Sequence, residues 1–542
     1  MRAAALILAA LALALAPAKV GADATREAVG FICGAEHTAP AAGPVNVVLE
    51  DGIGNDHWAI RTANPEAQRW FDYGLNLYHA FYHDEAKAAF RKAMAFDPEC
   101  AMCAWGEALS LGATLNYPIS ADQTAEALKV AQRAQVLAAN DDAKIRALTA
   151  ALVTRYSPAA GQGEAAFRRE MDAIAARWPT DDAVADVTAH VIMIPSRADD
   201  FSTVPRAMAI LEGVLKRRPD DTAAIHYYIH ATEFAGRPAL ALPYAERLAS
   251  LAPRASHLVH MGAHTFIHVG GYERAALVNA QALDVDAEFG REMGYVRPLG
   301  AAMYYPHNIS FGTEGALMAG DATLALRFAD DAKVAFPESV NRRAYALSRS
   351  FVAYGRFAPD KALAIPESAA RDGLLAIYRH YARGEAFAAK GDVAGVVAEA
   401  AALKAMKLAP ADAANLPHVT VAVGVLSGRA EMLQGRPDLA ASSYAQAAAV
   451  QETAFGKSFD PPPWWYPVRR SQAAALLAAG RDAEAAAAAE KSLAGWPADG
   501  LALRVLGEAQ AKLGRAAGAR RDRDAARSDY RGDPAALPLA LI

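Results

Sequence analysis

Histidine is concentrated in one part of this 542-residue chain. Seven of its 14 histidines lie between His226 and His307. His226 and His230 are four residues apart, and so are His260 and His264. Residues at positions i and i+4 lie on one face of an α-helix. Two such helices packed side by side would bring four imidazoles toward one surface, which suggests a metal site because imidazole is a common ligand of transition metals.

The two pairs belong to a repeat of the chain. Pro219 and Pro253 are 34 residues apart, and each is followed by a histidine after seven and eleven residues. The neighbouring segments add further histidines, so that the candidate metal ligands are His190, His226, His230, His257, His260, His264, His268 and His307. Burying so many imidazoles without partners would be costly, so we expect them to be either solvated or bound to a metal.

Zinc, copper and iron are the metals that such a cluster favours, since all three accept imidazole ligands. Glu233 and Asp186 add carboxylates that could act as ligands, as hydrogen-bond partners of ligands, or as general bases toward a metal-bound water. Eight histidines exceed the needs of one metal ion. Three arrangements stay open: one metal with supporting histidines, two metals, or several exchangeable ions.

The segments that must position these residues are helical. From about Asn64 onward, amphipathic segments alternate with joints rich in Gly, Pro or Asp-Asp, and β-branched alternation is almost absent. Self-similarity at a fixed period is typical of a solenoid. We predict an all-α fold with an N-terminal arm over residues 25–63, repeats over 64–340 that carry the histidines, and further repeats over 341–542.

The spacing of Gly74, Ala86, Phe90, Ala93 and Pro98 is that of a tetratricopeptide (TPR) repeat. The chain therefore resembles TPR proteins. Several segments, such as HYYIHATE (226–233), YYPHN (304–308) and PPPWWYP (461–467), are similar to a group of exported, largely uncharacterised bacterial TPR proteins.

This resemblance implies a right-handed superhelix of antiparallel helix pairs, whose first helices line a concave groove for peptides or partner proteins. The histidines would then lie on the groove face, with Glu233 and His268 one turn further along. The group usually has a non-histidine residue where His268 stands, and a second histidine where this chain has Ser310. If the site needs a ligand at Ser310, His268 could replace it.

The N-terminus and the composition restrict location and partners. Residues 1–24 combine Arg2, an apolar run and small-residue cleavage patterns, which predicts a secretory signal peptide and a periplasmic or secreted protein. No later stretch is long and apolar enough to predict a membrane span. A net charge of −5 shows no basic footprint for nucleic acid.

Other residues are more ambiguous. Cys100 and Cys103 form a CxxC that fits a structural bridge or buried thiols better than a redox or metal pair, and Cys33 is left over. His79 and His83 are assigned mainly to packing at a turn.

Two further segments leave alternatives open. His57 could reach the groove from the N-terminal arm or lie in a loop. The PPPWWYP segment could stack a ligand, although a lid over one end of the solenoid fits better.

The sequence thus predicts an exported TPR-type α-solenoid that binds copper, zinc or iron through a histidine cluster on its concave face. One alternative is a metal-dependent hydrolase or oxidase that uses the same cluster, with Glu233 or Asp186 as base. Another is a metal-free TPR scaffold for protein–protein interaction. No HExxH, P-loop, GxSxG or Rossmann motif is present, so any catalysis would depend on the histidines.

Overall fold

A computed structural model describes residues 45–542, except 117, 158–162, 199, 294–303, 336–340, 368–372 and 457–460. The predicted signal peptide, the first part of the arm and Cys33 lie outside the described residues. The described residues form 24 α-helices and no β-strand, which confirms the all-α prediction. None of the described helices has both the length and the apolar character needed to cross a membrane.

The first twelve helices include those that carry the histidines. They are α1 Pro65–His79, α2 His83–Phe96, α3 Ala101–Ser110, α4 Ala121–Leu137, α5 Ala143–Tyr156, α6 Gly163–Arg177, α7 Asp182–Met193, α8 Val204–Arg217, α9 Thr222–Phe234, α10 Leu242–Leu251, α11 Ser256–Val269 and α12 Tyr272–Glu292.

The remaining twelve helices continue the same alternation to the C-terminus. They are α13 Tyr305–Ala319, α14 Ala322–Ala335, α15 Asn341–Phe357, α16 Pro359–Leu363, α17 Gly373–Ala389, α18 Val393–Ala405, α19 Leu416–Leu433, α20 Pro437–Ala454, α21 Val468–Ala478, α22 Asp482–Gly495, α23 Gly500–Lys512 and α24 Ala516–Ser528.

The packing order is that of a TPR-like helix array. Every helix contacts the next one along the chain, and most odd-numbered helices also contact the next odd-numbered helix. The odd-numbered helices therefore form an inner row, as expected for the first helices of TPR pairs. Helix α1 additionally contacts α9, so the inner row of the first half closes on itself.

Small residues explain why the helices of a pair approach closely. A Cβ on Gly74 of α1 would lie 2.9 Å from a ring carbon of Phe90 on α2, and one on Gly106 of α3 would lie 2.5 Å from the same ring. Phe90 therefore packs between two glycines from successive pairs. This contact accounts for the Gly and Phe positions of the TPR-like sequence pattern.

Aspartates at the predicted joints begin several inner helices. Asp181, Asp221 and Asp499 each follow a proline by two residues, and each accepts a hydrogen bond from the first turn of α7, α9 or α23. Such N-caps satisfy backbone N–H groups that have no helical partner. Helix α11 has Ala255 at the equivalent position and lacks a side-chain cap.

Two apolar cores run along the array. One spans Val47 to Phe311, the other spans Tyr272 to Ile542, and the two meet along α12 and α13. The domain boundary predicted near residue 340 stays a prediction. The N-terminal arm packs on the first core, where Asn55 Nδ2 donates to the carbonyl oxygen of Asp220 (2.7 Å).

The two described cysteines are joined as a disulfide at the start of α3, between Cys100 and Cys103. A structural bridge is one of the two alternatives, with buried thiols, that the CxxC spacing favours. The PPPWWYP segment belongs to the second core: Trp464, Trp465 and Tyr466 are buried, and Tyr378 donates to the carbonyl oxygen of Pro463 (2.8 Å). These aromatic side chains are core residues.

Asp286 on α12 supports a prediction about pH. It is buried, and Asn308 Nδ2 donates to its Oδ2 (3.4 Å). Burial raises the pKa of Asp286 to about 7, although hydrogen bonds from Ser256 and Asn308 oppose the shift. The folded state therefore holds a proton that the unfolded state releases near pH 4, and this contribution to stability is lost as pH rises through about 7.

The amide that the variant Asp286→Asn introduces would carry no charge to bury. We therefore expect the free energy of unfolding of Asp286→Asn to rise, relative to that of the wild type, by roughly 3 kcal/mol between pH 5 and pH 8. Denaturant unfolding of both proteins at the two pH values measures this change. A difference between variant and wild type that is the same at pH 5 and pH 8 would contradict the assignment.

Candidate metal centre

Most of the predicted ligands converge on the inner row of the first core. His226 and His230 lie on α9, His257, His260 and His264 on α11, and His307 on α13. All six side chains are buried. They form two sets of three, in which the nitrogen atoms lie within 4.8 Å of one another.

His260, His264 and His307 form the first trihistidine group. The Nε2 atom of His260 lies 3.0 Å from Nε2 of His264 and 3.1 Å from Nε2 of His307. Three nitrogens on a tetrahedral zinc ion, at roughly 2.05 Å from the metal, would be about 3.3 Å apart. The spacing of these Nε2 atoms is close to that of ligands around one ion.

The tautomers of two members follow from their other ring nitrogens. Nδ1 of His260 lies 2.7 Å from Oδ1 of Asn279, whose Nδ2 donates to the carbonyl oxygen of Ala275. Nδ1 of His264 lies 3.0 Å from a carboxylate oxygen of Glu233. Both Nδ1 atoms therefore act as donors. A neutral ring with its proton on Nδ1 has its lone pair on Nε2, which is the atom that both rings place inside the group.

Glu233 holds the second ring nitrogen of His264 and also contacts His268. Its Oε1 lies 3.1 Å from Nε2 of His268, whose side chain is partly exposed. Burial opposes the negative charge, but His264 and His268 outweigh it and hold the pKa of Glu233 below its usual range. Glu233 is thus a carboxylate that orients the His264 ring from behind, an arrangement common in metal sites.

His226, His230 and His257 form the second trihistidine group. Nε2 of His226 lies 3.1 Å from Nε2 of His257. Nδ1 of His226 donates to the carbonyl oxygen of His79 (2.6 Å), so its Nε2 carries the lone pair. Neither ring nitrogen of His230 has a hydrogen-bond partner among the described residues, and the same holds for Nδ1 of His257.

Burial keeps these rings in the form that binds metals. It lowers the pKa of His230 to about 3. It also lowers, well below the usual value, the pKa values of His226, His257, His260 and His307, and neighbouring histidines add to the effect. Neutral imidazole is the metal ligand, so no proton has to be displaced from these rings near neutral pH.

One phenylalanine covers each group. The ring centre of Phe311 lies 4.6 to 5.0 Å from those of His260, His264 and His307. The second group has Phe81, at the turn between α1 and α2. Phe81 has a φ of 63°, a left-handed conformation that is uncommon for a residue other than glycine.

Contacts from three directions keep Phe81 in place. Its ring centre lies 4.4 Å from that of His226, 5.3 Å from that of His257 and 6.0 Å from that of His230. Its carbonyl oxygen accepts a hydrogen bond from Oη of Tyr304, the residue just before α13 (3.2 Å). The Phe81 ring thus packs against all three histidines of the second group.

His190 lies beside the second group. Its Nδ1 is 3.0 Å from Tyr78 Oη, and its ring stacks on Tyr227 with centres 5.1 Å apart. Of the two histidines at the turn, His79 has its Nδ1 atom 2.9 Å from Tyr227 Oη. The carbonyl oxygen of His79 accepts the hydrogen bond from His226. His83 packs beside Phe81. These histidines belong to the aromatic surroundings of the cluster.

Asp186 lies in a separate carboxylate cluster. Its carboxylate oxygens come within 4.8 Å of those of Asp56 and Asp221. Burial raises the pKa of Asp186 well above its usual value, and the two neighbouring carboxylates raise it further. No described contact links Asp186 to either trihistidine group.

Two further candidates are engaged elsewhere. His57 is mostly exposed, and its Nδ1 lies 2.7 Å from Asp72 Oδ2, so it is a residue of the arm's surface. Ser310 donates to the carbonyl oxygen of Pro306 within its own helix (2.9 Å). The cluster therefore consists of the six central histidines, with Glu233 and His268 at one edge.

In this part of the chain, the predicted concave face is not an open groove. All six central histidines are buried, and four of the elements that surround them are α1, α9, α11 and α13. The physical reason is the closure of the inner row, in which α1 reaches α9 and Phe81 fills the space between the helices. The face that carries the histidines is therefore buried inside the protein.

No protein-family model and no curated protein matches the chain. Similar solved structures include the human IFIT1 dimer with m7Gppp-AAAA (11% identity, 87% of this chain and 91% of that chain covered, TM-score 0.29) and yeast Tom70 (12%, 88% and 88%, 0.27). The P58(IPK) TPR domain is another (14%, 62% and 91%, 0.20).

The helix arrangement itself defines the class. The chain is an all-α protein built from TPR-like helix pairs, with a buried histidine cluster on its inner row. The narrower similarity to exported bacterial TPR proteins stays a prediction.

Proposed function

We propose that this protein is an exported TPR-like protein that binds a transition metal ion through His260, His264 and His307. The observation that carries the proposal is the convergence of three buried Nε2 atoms, with that of His260 lying 3.0 Å from Nε2 of His264 and 3.1 Å from Nε2 of His307. A cation next to these nitrogens would be bound by all three rings. Asn279 and Glu233 fix the orientation of the His260 and His264 rings from the opposite side of each ring.

The donor atoms favour copper, zinc or iron. Three neutral imidazoles suit these metals, while magnesium and calcium prefer oxygen ligands. Three ligands from the protein also leave at least one coordination position of a tetrahedral ion open, and a metal bound in this way can act as a Lewis acid or, for copper and iron, in electron transfer.

The surroundings favour binding and storage of the metal over hydrolysis of a large substrate. Phe311 covers the three rings, and the histidines are buried. Glu233 is occupied with His264 and His268, so it positions a ligand and is not free to act as a base. A peptide in the concave groove is disfavoured here, because the inner face is closed.

Metal content tests the proposal. Untagged protein purified from the periplasm, or reconstituted with Zn(II), Cu(II) or Fe(II), is dialysed against a mild chelator and analysed by inductively coupled plasma mass spectrometry. We expect at least one ion of one of these metals per chain to remain. Protein that retains none after reconstitution with any of the three metals would overturn the proposal.

Glu233→Gln tests how the site is oriented. The amide keeps the size of the side chain but removes the charge that favours the Nδ1–H form of His264. Loss of such a supporting group lowers metal affinity by about 10- to 100-fold. A competition titration with a chromophoric chelator measures the affinity, and His268→Ala, which leaves Glu233 in contact with His264, should change it much less. Equal effects of the two variants would contradict this role.

A further inference from the structure

We infer that the second trihistidine group, His226, His230 and His257, binds a second transition metal ion next to the first, so that the protein holds a two-metal centre. This inference rests on the proposed function, because both ions use the same interior. It assigns one ion to three residues that the first site does not need.

The second group has the features of a cation site of its own. His226 is oriented from behind by the carbonyl oxygen of His79, so its Nε2 lone pair points into the group. Nδ1 of His257 and both ring nitrogens of His230 are buried without a hydrogen-bond partner among the described residues. An unsatisfied buried polar atom costs about 1 to 3 kcal/mol, so three of them in one place require an explanation. A metal ion would be bound by one nitrogen of each ring, and it would thereby account for at most two of these three atoms, one on His230 and one on His257.

The two groups have the same composition and adjoin each other. Each consists of three buried histidines covered by one phenylalanine, Phe81 or Phe311. The ring centres of His230 and His264 are 5.3 Å apart, and those of His257 and His260 are 5.9 Å apart. Two ions held by such neighbouring rings would be close enough to interact magnetically. The left-handed backbone of Phe81 has a role in this arrangement, since it places an apolar ring against the second group.

Stoichiometry separates the inference from the proposed function. The full-length protein and the variants His226→Ala and His260→Ala are loaded with Cu(II) alone, dialysed against a mild chelator, and measured for copper per chain. We expect two copper ions in the wild type and one in each variant. The electron paramagnetic resonance spectrum of the wild type should show coupling between two Cu(II) ions, whereas each variant should give the spectrum of an isolated ion.

The other outcomes are distinct. One copper ion in the wild type, retained by His226→Ala and lost by His260→Ala, would overturn the second site and leave the proposed function intact. A wild type that retains no copper would overturn the second site, and the proposed function would then depend on zinc or iron. If circular dichroism shows that His226→Ala does not fold, His230→Gln replaces it, because glutamine keeps most of the side-chain volume.

Discussion

Replacing both His230 and His264 with alanine is expected to abolish metal retention without changing the helical content. The first group would keep only His260 and His307, and the second only His226 and His257. Two imidazoles per group are too few for a stable site, since structural and catalytic zinc sites use three or four protein ligands. After dialysis against a mild chelator, we expect metal per chain to fall below about one tenth of the wild-type content, while circular dichroism stays unchanged.

His418→Ala is the matched control for this double variant. His418 is also a buried helical histidine, and its Nδ1 lies 3.1 Å from Tyr378 Oη in the second core, away from the cluster. Removing it tests the general effect of deleting a buried imidazole. It should leave the metal content at the wild-type value. Undiminished metal in the double variant, or an equal loss in the control, would refute the proposed site.

Metal binding is expected to stabilise the first core strongly and the second core little. A ligand that binds only the folded state adds about 4 kcal/mol when its free concentration is one thousand times Kd. For a core of this size, that corresponds to a rise of roughly 10 °C in Tm. Differential scanning calorimetry of metal-free and metal-loaded protein measures the shift. Since the chain has two cores, we expect a separate transition that moves with metal and one that does not.

Two comparisons identify the source of this stabilisation. Magnesium at the same concentration should not shift the first transition, because three imidazoles suit it poorly as ligands. The His230→Ala/His264→Ala variant should show no shift with copper, zinc or iron. A shift that persists in the double variant would place the metal elsewhere on the chain.

Much of the fold follows from local sequence. The positions of α7 and α9 were indicated by joints in which Asp181 or Asp221 follows a proline by two residues, and these aspartates are the N-caps. Gly74 and Phe90 marked a helix pair because one packs on the other. Such signals lie within one or two turns of the residues that they position, so a single sequence reveals them.

The burial of the site could not be predicted in the same way. It depends on the contact between α1 and α9 and on the hydrogen bond from Tyr304 to Phe81, which join residues far apart in the chain. Neither contact has a periodic signal. The conformation of Phe81 could not be predicted for a further reason. A left-handed backbone conformation is normally indicated by glycine or asparagine, and this position has neither.

The supporting residues were missed in part. Glu233 was found because it lies on the same helical face as His226 and His230, although its role stayed open. Asn279 was not found, since it lies on α12, the outer helix of its pair, where the sequence shows no histidine. Its contact with His260 Nδ1 becomes visible only when the register of α11 against α12 is known.

The closure of the inner row sets the order in which the site can be assembled. Phe81 at one end and His307 at the other are contributed by hairpins more than 200 residues apart. A chain that emerges from a ribosome or a secretion channel from its N-terminus cannot complete the centre until α13 has followed. For the proposed metal site, this order means that the ion would be acquired in the compartment where the last hairpin docks, and a chain that folds on the wrong side of a membrane would meet a different set of ions.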